Sequence, residues 1–254
     1  MVINKAKDEK ILREACTISV DILKHVGESI REGITALELD NIAGNLCRKY
    51  HVKPAFKRVR GYNFNTCISV NDVAVHGIPK DIPLIKGDLV SIDFGIIHKG
   101  MYTDHCWTWS VGKPAENNAK LLLTGRQAVE NCIPLAVTGN YTGDLGHEME
   151  RIAKDRGYNI LKMFVGHGIG KTLHDSPDIP AYGSKGSGTR LITGMVICIE
   201  CQVVNDNGRV VIDDDGWSAK TANGGNSVMF EYMLIVDNEK PIILTDTRSW
   251  DTLA

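Results

Sequence analysis

Three carboxylates stand in stretches that should be buried strands. Val90-Ser-Ile-Asp93-Phe94, Val196-Ile-Cys-Ile-Glu200-Cys-Gln-Val-Val204 and Val228-Met-Phe-Glu231-Tyr-Met-Leu-Ile-Val236 are apolar runs, each with one acid near its middle. Strands apolar on both faces are normally covered on both faces. An unpaired ionised carboxylate there costs on the order of tens of kcal/mol in the idealised limit, so each needs a proton, a cationic side chain or a metal. One such acid reads as readily as a structural ion pair. Three, in strands nearly free of Lys and Arg, favour a metal.

The hairpin from Ser91 to Cys106 adds Asp104. If its turn centres on His98-Lys99, Asp104 sits directly opposite Asp93 with Cβ atoms roughly 4.5–5.5 Å apart, a repelling pair unless a cation lies between them. A three-residue loop ending at Gly100 would put the two acids on opposite faces unless a bulge restores the register. Phe164-Val-Gly-His167-Gly-Ile-Gly170 then sets an imidazole among glycines that let backbone or ligand approach closely. Five such ligands are too many for one tetrahedral zinc and suit two metals bridged by shared carboxylates, with Mn, Fe or Co as suited as Zn. Two metals about 3.5–4 Å apart polarise a carbonyl and hold a hydroxide at neutral pH, so hydrolysis is the natural chemistry.

The elements that must carry these residues come in a repeated order. Ile11, Leu12, Ala15, Ile18, Ile22, Leu23, Val26 and Ile30 recur at helical spacing up to Gly33. Thr35-Ala-Leu-Glu38 has the form of a capping box opening a second helix to about Tyr50. Strands follow near 66–70, 89–97 and 101–111. A helix from Glu116, ended early by Pro134, and a short helix carrying Ile152-Ala153 lead to strands near Lys162 to Val165, 194–204 and 228–236. This weak two-fold resemblance predicts an α+β fold whose duplicated halves, about 1–112 and 113–254, share one sheet in a single catalytic domain.

Bulk properties exclude more than they assign. The chain has 254 residues, 43% of them hydrophobic, and a net charge of -2, which leaves no electrostatic footprint for nucleic acid and no polybasic anchor for a membrane. The basic run Lys53 to Arg60 and the glycine-serine run Gly183 to Gly188 read as surface loops. Seven cysteines at irregular spacings do not form a disulfide framework, so a reducing compartment is expected. Cys198 and Cys201, three apart in a strand, should point to opposite faces, which argues against a redox or zinc pair. With no apolar signal core and no spanning helix, a cytoplasmic protein is expected.

With Asp93, Asp104, His167, Glu200 and Glu231 in that order, the sequence resembles the type I methionine aminopeptidases, whose second metal-binding Asp follows the first by eleven residues. Cys67-Ile-Ser-Val-Asn-Asp-Val-Ala-Val-His76-Gly-Ile-Pro79 is similar to that family's CISxNxxxxHGIP segment, and Gly166-His-Gly-Ile-Gly-Lys-Thr-Leu-His174-Asp-Ser-Pro177 to its GHGIGxxxHexP segment. The resemblance covers essentially the whole chain and implies the pita-bread fold, with duplicated αα-ββ half-units around an antiparallel-rich sheet. It implies a site for two divalent ions (Co, Mn, Fe, Zn or Ni), in which Asp93 holds one, His167 and Glu200 the other, and Asp104 and Glu231 bridge them. Metal-bound hydroxide would attack the first peptide carbonyl with Glu200 as general base. His174 would donate a hydrogen bond to the carbonyl oxygen, and His76 would contact the amide nitrogen. Tyr62, Cys67, His76 and Trp217 would line the methionine pocket. The implied substrate is the N-terminus of a peptide or nascent chain, handled by a monomer; no residue argues for ribosome contact.

The sequence departs from the family pattern at Cys201, where Pro is usual, at Tyr232, where His is usual, and at Leu173, often Phe. The loop Gly61-Tyr-Asn-Phe-Asn65 also differs. None removes a metal ligand, but a smaller Leu173 bears on how strictly methionine is preferred. No insertion of the type II enzymes fits between His174 and Glu200. Two rival readings share the fold: an X-Pro dipeptidase or aminopeptidase P, which normally carries a further N-terminal domain, and a non-catalytic pita-bread binding protein, which typically has lost metal ligands.

Overall fold

The computed structural model describes residues 1–254. The first half folds as helices α1 (Ala6–Gly27) and α2 (Ala36–Lys49), then strands β1 (Lys53–Pro54), β2 (Cys67–Val70), β3 (Val73–Val75), β4 (Leu89–Phe94), β5 (Ile96–His98), β6 (Met101–Tyr102) and β7 (His105–Ser110). The second half repeats the order with α3 (Glu116–Cys132), α4 (Thr142–Asp155), β8 (Asn159–Ile160), β9 (Gly166–Gly168), β10 (Asp175–Ile179), β11 (Val196–Val204), β12 (Val210–Ile212), β13 (Ala219–Thr221), β14 (Ser227–Ile235) and β15 (Ile242–Ile243).

Local chemistry sets most helix ends. The Thr35 side chain accepts from the Glu38 amide and the Glu38 carboxylate accepts from the Thr35 amide, the reciprocal box that opens α2. α3 stops at Cys132 and passes into a 3-10 turn, Ile133–Leu135, because Pro134 cannot continue the helical ladder. α1 ends at Gly27, earlier than its periodicity predicts; Gly33, at φ 85, serves the turn into α2 instead. None of the helices is long and apolar enough to cross a membrane.

The main sheet runs β10-β9-β11-β14-β7-β4-β2, antiparallel throughout, and the two halves meet where β7 pairs with β14. One face carries Ile92, Trp107, Phe230, Tyr232, Ile199 and Cys201 into the large core that also holds Leu23 and Val26 of α1, Leu39 of α2, Leu121 and Val129 of α3, and Leu145 and Met149 of α4. Two of the unusual residues, Cys201 and Tyr232, are therefore fully buried against helices, on the face away from the acids. Cys198 lies on the other face, as three-residue spacing in a strand requires.

Two further sequence expectations need correction. The segment Lys162 to Val165 is irregular, and the strand begins only at Gly166, because pairing with Cys198 of β11 rather than local propensity defines it. The hairpin turns on Lys99-Gly100, not on His98-Lys99: both residues have positive φ, 49 and 83, and His98 pairs with Met101. That register continues to Asp93 opposite Cys106, so Asp93 and Asp104 are diagonal rather than direct neighbours. Both still face the same side, since Asp104 and Cys106 are two residues apart.

Candidate metal centre

Antiparallel pairing lines up one row of residues across five strands. Cys67 of β2 pairs with Asp93 of β4, Asp93 with Cys106 of β7, Cys106 with Glu231 of β14, and Glu231 with Glu200 of β11. Directly paired residues share a face, so the register alone brings three acids from distant parts of the chain to one side of the sheet. On β9, His167 pairs with Cys198, which lies two residues from Glu200 on the same face.

The oxygens converge without a counter-charge. Ligand atoms of Asp93, Asp104 and Glu231 lie within 4.8 Å of one another, as do those of Asp104, His167 and His174, and those of His167, Cys198 and Glu231. Asp93 Oδ1, Asp104 Oδ1 and Glu231 Oε1 are buried and have no hydrogen-bond partner. His167 Nδ1 lies 3.0 Å from the Gly168 carbonyl oxygen, which can only accept, so Nδ1 carries the proton. Its Nε2 then turns a lone pair toward Asp104 Oδ2 at 3.7 Å. Two acceptors facing each other across that gap fit a cation between them. Glu200 belongs to none of these three-member clusters; its Oε2 accepts from Gln202 Nε2 at 2.5 Å.

The electrostatics agree. Burial, with the charges of Asp104 and Glu200, holds the Asp93 carboxyl well above the usual range, and burial with the surrounding carboxylates does the same to Glu231. Burial lifts Asp104 to about 8 and Glu200 to about 7, the latter against the pull of the Gln202 hydrogen bond. Burial lowers His76 and His167 to about 4, so both rings are neutral at physiological pH. Neutral imidazole and clustered carboxylates are a donor set for divalent metal.

The ten residues expected to bind metal or substrate all line one cavity of about 130 Å³, which also includes Phe56, Val59, Val75, Leu173 and Met229. At roughly 30 Å³ per water, it admits about four waters or one side chain. The Tyr62 ring meets Trp217 edge-on at 5.1 Å, and its hydroxyl donates to the Thr66 carbonyl at 2.7 Å, which fixes the aromatic wall. His174 lies at the mouth with its ring 4.5 Å from that of His167. His76 is held at φ 58, followed by Gly77, where a Cβ would meet the Ile68 carbonyl at 2.3 Å. Such conformations concentrate where a side chain must be aimed. A larger hollow of about 500 Å³ between α1 and the carboxyl terminus contains no histidine, cysteine or converging acids.

Sequence reasoning missed Gln202, Phe56 and Cys106. Gln202 and Cys106 lie two residues from Glu200 and Asp104, so strand periodicity was the available signal. Phe56 reaches the cavity from a single 3-10 turn, and no periodicity marks it.

The chain matches metallopeptidase family M24 over residues 10–238. It is 36% identical to a methionine aminopeptidase of Clostridium perfringens, over 96% of this chain and 99% of that one. Among solved structures it is similar to the methionine aminopeptidase of Thermotoga maritima, with a TM-score of 0.93 and 34% identity, covering 96% of this chain and 99% of that one. The prolidase of Pyrococcus furiosus superposes with a TM-score of 0.79 at 25% identity, and 97% of this chain covers 66% of it. These likenesses bear out the pita-bread architecture.

Proposed function

Because the chain belongs to metallopeptidase family M24, among its methionine aminopeptidases, we propose that it is a metal-dependent hydrolase that removes the N-terminal methionine of peptides and nascent chains. The observation that carries the reading is the convergence of Asp93, Asp104 and Glu231, each with a buried, partnerless oxygen, in a cavity sized for one side chain. Asp93, Asp104, His167, Glu200 and Glu231 would hold two divalent ions, drawn from Co, Mn, Fe, Zn or Ni. When bound, the ions polarise the scissile carbonyl and acidify water.

The chain's own groups do the rest. Glu200 takes the proton of the attacking water and returns it to the departing amine. His174, neutral and at the cavity mouth, donates to the carbonyl oxygen as charge develops there. His76 faces the amide nitrogen. Tyr62, Cys67 and Trp217, with Phe56 and Leu173, enclose the thioether in a soft apolar wall. The pocket takes one side chain, and a free α-amine lodged at the donor set would place the scissile bond after the first residue. Leu173 occupies its place in that wall at 8% exposure.

On this reading residues 1–254 act as one catalytic domain of two halves, a cytoplasmic monomer; seven free, buried cysteines support a reducing compartment. A substrate panel tests the function. Met-Ala-Ser should lose methionine in the presence of Mn, Co or Fe, while Xaa-Pro peptides lacking methionine stay intact. The reverse pattern would assign the chain to the prolidase-like enzymes.

A further inference from the structure

We propose that Gln202 is a positioning residue, which fixes the direction of the Glu200 carboxylate by clamping one of its oxygens. Gln202 follows Glu200 by two positions on β11, so both side chains rise from the same face of the strand. Its Nε2 donates to Glu200 Oε2 at 2.5 Å. The orientation of the amide is fixed by its partner: a carboxylate oxygen accepts, so the NH₂ end must face it.

Stability does not explain the choice of residue. Gln202 is 0% exposed, its Oε1 has no partner, and its cross-strand neighbour is the apolar Met229. A buried carbonyl without a donor is a cost that an apolar side chain would remove. The one contact that needs an amide here is the one to Glu200. Glu200, in turn, is the acid of the site that belongs to no converging cluster of donors, which leaves Gln202 as the group that sets its direction.

The inference rests on the reading of Glu200 as general base, so the test has an arm that does not depend on turnover. The chain has only two glutamines, Gln127 and Gln202, so selective labelling of glutamine side-chain amides gives two resolvable pairs of NMR signals. The Gln202 pair should exchange slowly with solvent and have one proton displaced downfield relative to Gln127. The downfield displacement should vanish in Glu200→Ala. In the metal-loaded enzyme, Gln202→Met, which keeps length and removes the donor, should lower kcat about tenfold to hundredfold, the scale of a small misplacement of a reacting group, with KM and bound metal unchanged. A Gln202 amide pair indifferent to Glu200→Ala would overturn the proposal whether or not any peptide is cleaved. So would a Gln202→Met enzyme that retains full kcat, or one that loses kcat only in proportion to its metal.

Discussion

Glu200 is asked to serve as both metal ligand and proton acceptor, and its surroundings suit both. In the metal-free site burial raises its pKa to about 7, against the pull of the Gln202 hydrogen bond. Glu200→Gln removes the base and weakens a ligand together; turnover of Met-Ala-Ser should fall by ~10²–10⁴-fold in a steady-state assay. His174 is a separable case. It sits at the mouth, and its assigned task is a hydrogen bond to the carbonyl oxygen. His174→Ala should therefore lower kcat while the metal content measured by atomic emission stays at the wild-type level, and equal losses of both would contradict the role. Leu173 makes a third point at this scale, since it is part of the pocket wall. Leu173→Phe should fill the cavity and lower kcat/KM for bulkier first residues more than for methionine.

Strands, rather than loops, hold most of the donors, and their register is what assembles the site. β9 shows how tight this is: a Cβ on Gly166 would lie 2.4 Å from the Cys198 carbonyl, and one on Gly168 would lie 2.2 Å from the Ser176 carbonyl. The glycines let a three-residue strand slide between β10 and β11 with His167 on the site face. Gly168→Ala should cost about 1–3 kcal/mol by overpacking and should weaken metal binding through His167, visible as a lower Tm together with a lower affinity in calorimetry. The same strand marks the limit of sequence reading. Helices α1 to α4 were legible because 3.6-residue periodicity and the Thr35 box are local signals. β9, and β10 with its Asp175-Ser-Pro-Asp178, carry no strand propensity and exist through pairing. The acids were legible because a carboxylate in an apolar strand is an electrostatic contradiction, whereas Gln202, being uncharged, raised none. The diagonal placement of Asp93 and Asp104 depended on a turn two residues long, which local sequence left open.

At the scale of the whole molecule, one sheet shared by two halves gathers four buried carboxyl groups that no lysine or arginine of the chain pairs with. Without metal, the carboxyls of Asp93, Asp104, Glu200 and Glu231 hold protons more tightly folded than unfolded, so the stability they contribute is lost as pH rises through their folded values, about 7 for Glu200 and 8 for Asp104. The buried, neutral His76 and His167 act oppositely, but only below the ordinary imidazole value of 6.5. Between pH 6.5 and 8 the acids alone decide, and the Tm of chelator-treated protein should fall across that window; saturating metal should abolish the fall. The claim on which everything else depends is that the buried row is a cage for two cations. Titration of metal-free protein with Mn²⁺ in a calorimeter tests it directly. The proposal predicts two ions bound per chain at saturation and a loss of binding in Asp104→Ala, whose carboxylate belongs to two of the converging donor groups. Absence of binding, or binding that Asp104→Ala leaves unchanged, would contradict it.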